Sequence, residues 1–232
     1  MRAPENTRAS FLRARELGAT QVETDVQLTA DGVPVLCHDD MLERYGHGAV
    51  SIGERTFREL EKLDFGSWHS VAFKGEPILS LKRFLAEFGT VFHCHIELKD
   101  TNTGTPAATL ALLNREALPA TLTSFHFDQL KRARALDTER PMGWLVHNAT
   151  DETIARACAL GLAQLCVKTD AITPELCARA GERGLEIRAW GCPREEARAR
   201  AEIARLRATS CVGITVDELG WFASPVNLHG LS

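Results

Sequence analysis

Two short runs of this sequence carry carboxylates in alternation with apolar residues. In Gln21-Val22-Glu23-Thr24-Asp25-Val26-Gln27-Leu28, an extended chain puts Gln21, Glu23, Asp25 and Gln27 on one face and Val22, Thr24, Val26 and Leu28 on the other. The same division recurs where His93, His95, Glu97 and Lys99 face one way and Phe92, Cys94, Ile96 and Leu98 the other. Taken alone, either run fits an antiparallel strand with one face in water. In a parallel sheet covered by helices, the apolar faces pack beneath the helices and the charged faces point inward, where unpaired carboxylates are costly. Glu23, Asp25 and Glu97 then call for a hard divalent cation, Mg2+ or Ca2+, which takes oxygen ligands and leaves positions for water and a phosphate. Lys99, on the same face as Glu97 and nearer the strand's end, can direct positive charge at a phosphate oxygen. His38 closes a short extended run and can move a proton, its ordinary pKa being about 6.5; a hydrogen-bonded loop histidine is the alternative. Trp190 reads as core before substrate wall, and Asp217 as a cap or turn residue before a ligand.

The elements needed to place these residues are legible as alternating β-rich and helical runs, the pattern of parallel α/β units. Strands are predicted at 21–28, 91–98, 120–124, 142–146, 163–167, 185–190 and 212–216, with helices near 106–116, 128–136, 151–160, 174–182 and 194–207. Thr173-Pro174 reads as an N-cap followed by proline at the first helical position, and Gly161 and Gly184 sit where helices stop. Ahead of the first strand, Pro4-Glu5-Asn6-Thr7 opens a helix with Phe11, Leu12 and Leu17 on one side, a helix without a strand of its own. Asp31-Gly32 makes a tight turn, and residues at about 39–76 read as an insertion on a barrel loop. The chain is expected to be one domain over 1–232.

The bulk properties agree. The 232 residues admit a closed β/α barrel, which typically takes ~250 and at least ~200. Lys and Arg number 27 against 31 Asp and Glu, a net charge of −4 with no basic stripe, so nucleic acid is not an expected partner. No apolar run approaches a membrane span and Met1 is followed by Arg-Ala-Pro, so a cytoplasmic protein acting on a small molecule is expected. Seven dispersed cysteines with no Cys-x-x-Cys spacing read as buried, reduced thiols.

Together, Pro4-Glu5-Asn6-Thr7, Glu23-Thr24-Asp25-Val26, Asp31-Gly32-Val33-Pro34-Val35, His38-Asp39, Leu63-Asp64-x-Gly66-Ser67-Trp68 and Ile96-Glu97-Leu98-Lys99 resemble, in order and context, the glycerophosphodiester phosphodiesterase family. The resemblance implies a TIM-type β/α barrel that hydrolyses glycerophosphodiesters to glycerol 3-phosphate and an alcohol with a divalent cation. It implies Glu23, Asp25 and Glu97 as metal ligands, His38 as one of two catalytic histidines, Lys99 as a phosphate contact and Trp190 as a wall of the substrate pocket. The sequence departs from the family at Gly191-Cys192-Pro193 after the tryptophan and at Val216-Asp217-Glu218-Leu219. The family also carries His-Arg-Gly on a first strand just before Pro-Glu-Asn-Thr, where this chain reads Met1-Arg2-Ala3. The expectation is therefore a barrel missing its first strand, with seven barrel strands and one of the two histidines, from a start assigned too far downstream or a real truncation. A non-catalytic barrel binding a phosphoester or a protein is the alternative. His95 stands where the family commonly has asparagine and is expected to be a barrel-core residue.

Overall fold

The computed structural model describes residues 2–222. In chain order it contains α1 (Arg8–Glu16), β1 (Gln21–Leu28), β2 (Pro34–Leu36), α2 (Phe57–Leu60), β3 (Leu79–Ser80), α3 (Leu81–Phe88), β4 (His93–Leu98) and α4 (Thr105–Arg115). There follow β5 (Ala120–Ser124), α5 (Phe127–Leu136), β6 (Met142–Val146), α6 (Asp151–Ala159), β7 (Gln164–Lys168), α7 (Pro174–Gly181), β8 (Glu186–Trp190), α8 (Glu196–Arg207) and β9 (Gly213–Ile214). The strands form one sheet ordered β3-β2-β1-β4-β5-β6-β7-β8-β9. From β1 through β4 to β9 every pairing is parallel, which gives the seven strands expected from the sequence. β2 and β3 extend the sheet antiparallel from the C-terminal end of β1. Among the described residues the sheet is not closed by hydrogen bonds. The first half of β1 and the residues of β9 border a common cleft instead.

Parallel strands covered by helices must bury their outward faces completely, and Val26, Ile96, Leu98, Leu122 and Leu165 are each 0% exposed beneath the helical layer. The helices begin where the sequence offers caps: Thr7, Thr150 and Thr173 each accept a bond from the first turn. Gly161 and Gly184 follow α6 and α7 with φ of 65° and 76°, a left-handed conformation that favours glycine.

Helix α3 has no counterpart in the sequence reading, because only two residues separate its last turn from the apolar run at 91–98. It presents Leu81, Phe84, Leu85 and Phe88 to the core. The helix without a strand, α1, packs on it: Phe11 lies 4.5 Å from Phe84 and 5.6 Å from Phe88. Leu17 departs from its expected place on that apolar face, since it ends the helix as the C-cap and is 39% exposed.

The inserted residues form a small apolar cluster of their own, with Cys37, Leu42, Tyr45, Ile52, Leu60, Phe65 and Ile78 buried together. All seven cysteines are unpaired, but only Cys37, Cys94, Cys166 and Cys177 are buried; Cys158, Cys192 and Cys211 are partly exposed because they lie near element ends. No helix among the described residues is long and apolar enough to cross a membrane.

Candidate active site

The register of the parallel strands decides which inward residues meet. β1 and β4 pair with Glu23 beside His95 and Asp25 beside Glu97. The carboxylates of Glu23, Asp25 and Glu97 consequently converge, with one oxygen from each lying within 4.8 Å of the others. Lys99 reaches back over them, its Nζ 3.2 Å from both Asp25 Oδ1 and Glu97 Oε1. Burial, reinforced by Asp25 and Glu97, pushes the Glu23 carboxyl well above the usual carboxylate range. Glu97 is pushed up to about 7, by burial first and then by Asp25. Burial works against the Lys99 charge, but the two carboxylates outweigh it and raise the ammonium's pKa. Three converging acidic groups, with one ammonium to offset them, form a hard oxygen donor set suited to a divalent cation.

Asp25 is held by a residue far outside its strand. Asn6, at φ 57°, takes up a left-handed conformation that asparagine tolerates better than most residues. Its Nδ2 donates to Asp25 Oδ2 at 2.8 Å, while its Oδ1 accepts from Thr24 Oγ1 at 2.7 Å and from the Asp25 amide at 3.2 Å. The orientation of that carboxylate is thereby set from both ends. After β4, Asp100 accepts from the Leu28 amide at 2.7 Å and from Thr105 Oγ1 at 2.6 Å, which fixes the loop that begins at Lys99.

His38 stands across the same cavity on the loop that leaves β2. The inward-facing Gln27 of β1 donates to the carbonyls of Cys37 at 2.9 Å and Asp39 at 3.0 Å, so the backbone around His38 is tied to the strand that carries two of the carboxylates. The His38 Nδ1 lies 2.6 Å from Asp39 Oδ1, and Arg44 Nε lies 2.7 Å from Asp39 Oδ2. The Arg44 contact is off-line for a hydrogen bond and acts as an ion pair. On the far wall, Trp190 donates its indole N–H to the carbonyls of Val146 and Cys166, both at 3.1 Å. Phe125 and His147 meet its ring edge-to-face at 5.0 and 5.1 Å. The cavity bounded by these groups measures about 1020 Å³ and continues into the cleft between β1 and β9.

Comparison with known proteins gives this arrangement its context. The model of the glycerophosphoryl diester phosphodiesterase family matches residues 1–220. The chain belongs to that family. A glycerophosphodiester phosphodiesterase of Caldanaerobacter subterraneus is 29% identical over 93% of this chain and 89% of its own length. The YhdW protein of Bacillus subtilis is 43% identical, but over only 42% of this chain and 40% of that protein. Among solved structures, an Oleispira antarctica phosphodiesterase in complex with the product sn-glycerol-3-phosphate superposes with a TM-score of 0.80. It shares 28% identity, and the match covers 91% of this chain and 87% of that one. The family fold is a TIM-type β/α barrel, and the parallel sheet described above follows it.

Every candidate that the sequence offered for this family's chemistry borders one cavity: Glu23, Asp25, His38, Glu97, Lys99 and Trp190. Two others border the same cavity without joining the carboxylate cluster. His95 sits one layer deeper, its Nε2 3.1 Å from Gln21 Oε1, and burial pushes its pKa down to about 3, so it is a neutral barrel-core residue. Asp217 pairs with Arg194 at 3.3 Å. Sequence reasoning assigned no role to Gln27 or Arg44 and quoted Asn6 only within a motif. An asparagine ahead of a helix and an arginine in a polar insertion give no local signal of which distant side chain they hold.

Proposed function

We infer that this protein is a divalent-cation-dependent glycerophosphodiester phosphodiesterase, releasing sn-glycerol 3-phosphate and an alcohol. The observation that carries this reading is the convergence of Glu23, Asp25 and Glu97 within 4.8 Å, capped by Lys99, in a cavity shared with His38. Mg2+ or Ca2+ held by the three carboxylates would supply positive charge to the phosphoryl group and make phosphorus more electrophilic. Lys99 adds charge toward a non-bridging phosphate oxygen. Attack on phosphorus by water forms one P–O bond and breaks the bond to the departing alcohol, which gains a proton as the attacking water loses one. Attack by the substrate's own glycerol 2-hydroxyl expels the alcohol in the same way but leaves a cyclic phosphate, which water then opens to glycerol 3-phosphate. His38 moves a proton in this exchange, with its Nδ1 facing Asp39 and its other ring nitrogen available to the cavity. Trp190 and Phe125 give the non-reacting part of the substrate an apolar wall, and the two bonds from the indole N–H hold that wall still. Seven unpaired cysteines fit a reducing compartment, in keeping with the cytoplasm.

The test is release of glycerol 3-phosphate from glycerophosphocholine. Activity is expected with Mg2+ or Ca2+, to vanish with EDTA, and to fall at least about 100-fold in Glu97→Gln and His38→Ala. Turnover that persists in EDTA or in Glu97→Gln would overturn the metal assignment. Metal binding without turnover would support a binding role in place of catalysis.

A further inference from the structure

Arg44 is built into its surroundings more firmly than a surface cation of the inserted segment needs to be. Its guanidinium stacks over the Trp68 ring at 4.6 Å and the Tyr45 ring at 5.1 Å. Its Nη2 donates to Glu5 and, at 2.9 Å, to the Tyr45 hydroxyl, which also receives a 3.4 Å contact from Cys37 Sγ. Glu5 precedes Asn6, the residue that orients Asp25. The remaining contact of Arg44 goes to Asp39, whose two carboxylate oxygens are divided between Arg44 Nε at 2.7 Å and His38 Nδ1 at 2.6 Å. Side chains of this exposure, 29% for Arg44, 32% for Asp39 and 49% for His38, gain little stability from ion pairing, about 0–1 kcal/mol for a typical surface pair. Stability alone therefore does not account for the arrangement, whereas geometry does. A carboxylate that only accepts must face an N–H, so neutral His38 carries its proton on Nδ1 and keeps Nε2 free.

We propose that Asp39 and Arg44 are positioning residues for His38. Asp39 fixes the imidazole's rotation and its Nδ1–H tautomer, and Arg44, held against the Trp68 and Tyr45 rings and anchored to Glu5, fixes the plane of the Asp39 carboxylate. The consequence for chemistry rests on the reading above that His38 moves the proton; the tautomer itself does not. Orientation through a carboxylate partner is the same device that serves catalytic and metal-bound histidines generally.

Two measurements on the full chain test this. In 15N-histidine-labelled protein, two-bond 1H–15N correlations of neutral His38 are expected to show the Nδ1–H tautomer. That signature should give way to predominantly Nε2–H in Asp39→Ala and weaken in Arg44→Met, with Arg44→Lys in between because it keeps the charge but not the planar stack. In kinetics, Asp39→Asn should lower kcat about 10- to 100-fold with KM and the unfolding midpoint little changed, and Arg44→Met should follow in the same direction with a smaller loss. An Nε2–H tautomer in the unsubstituted protein would overturn the proposal even if no variant were active. So would an unchanged kcat in Asp39→Asn, or an Arg44→Met effect confined to KM, which would make Arg44 a substrate contact. Full activity in His38→Ala would instead defeat the catalytic reading and leave the tautomer experiment to judge the relay.

Discussion

Asp25 takes part in three relationships at once: Asn6 holds one carboxylate oxygen, Lys99 approaches the other, and Glu97 stands beside it across the β1–β4 pairing. Without a cation, that crowding is a cost, and its pH dependence has a definite sign. Glu97 is pushed from an ordinary 4.5 up to about 7, so between these values the folded protein binds more protons than the unfolded chain. Metal-free stability must then fall as pH rises through this window and stay low above it. Urea unfolding in EDTA should show a loss of about 1 to 3 kcal/mol between roughly pH 5 and pH 8, and saturating Mg2+ or Ca2+ should offset it. Glu97→Gln should make the metal-free profile shallower, leaving the part due to Glu23, and remove the response to metal. A metal-free protein equally stable across the range would contradict this account of the carboxylate cluster.

The inserted segment is the least regular element, and its Arg44 pairs with Asp39, which meets His38 where the segment begins. Its shape depends on close backbone approaches that a side chain would block. At Gly66, a Cβ would fall 2.0 Å from the Phe73 carbonyl oxygen, beside a turn in which Asp64 Oδ1 accepts from the Gly66 and Ser67 amides. Gly66→Ala should therefore destabilise the protein by about 2 kcal/mol or more and lower activity through displacement of Trp68 and Arg44. By contrast, Gly181, the last residue of α7, has open space around it and an ordinary φ, so Gly181→Ala should be neutral or stabilising by up to about 1 kcal/mol. Denaturant midpoints of the two variants check the pair, and a neutral Gly66→Ala would show that the turn can open without harm. The hairpin Asp31-Gly32 was legible here from its turn chemistry. The clustering of Tyr45, Phe65 and Trp68 was not, because it follows no period of 2 or 3.6.

At the scale of the molecule, the parallel sheet has a well-held centre and two unequal margins. β5, β6 and β7 are paired on both sides, while among the described residues β9 is two residues long and paired on one side, and the first half of β1 borders the cleft. Protection against amide hydrogen exchange should therefore rank β5–β7 above the first residues of β1 and above β9, with the ladder between β1 and β4 intermediate. Equal protection at Gly213–Ile214 and in the central strands would mean that the cleft is covered in solution.

The sequence by itself determined the seven parallel strands and the inward placement of Glu23, Asp25, Glu97 and Lys99. These follow from alternation along a strand and from the cost of burying charge, both local or nearly local rules. It also offered His38 as a candidate proton carrier, with a hydrogen-bonded loop histidine as the alternative. Only the tertiary structure decided that Asn6 orients Asp25, that Gln27 ties down the His38 loop, and that Arg44 reaches Asp39 from a cleft of aromatic rings. Those contacts join residues whose spacing along the chain carries no periodicity. Their meeting is fixed by how the inserted segment and the segment before α1 pack over the ends of β1 and β4.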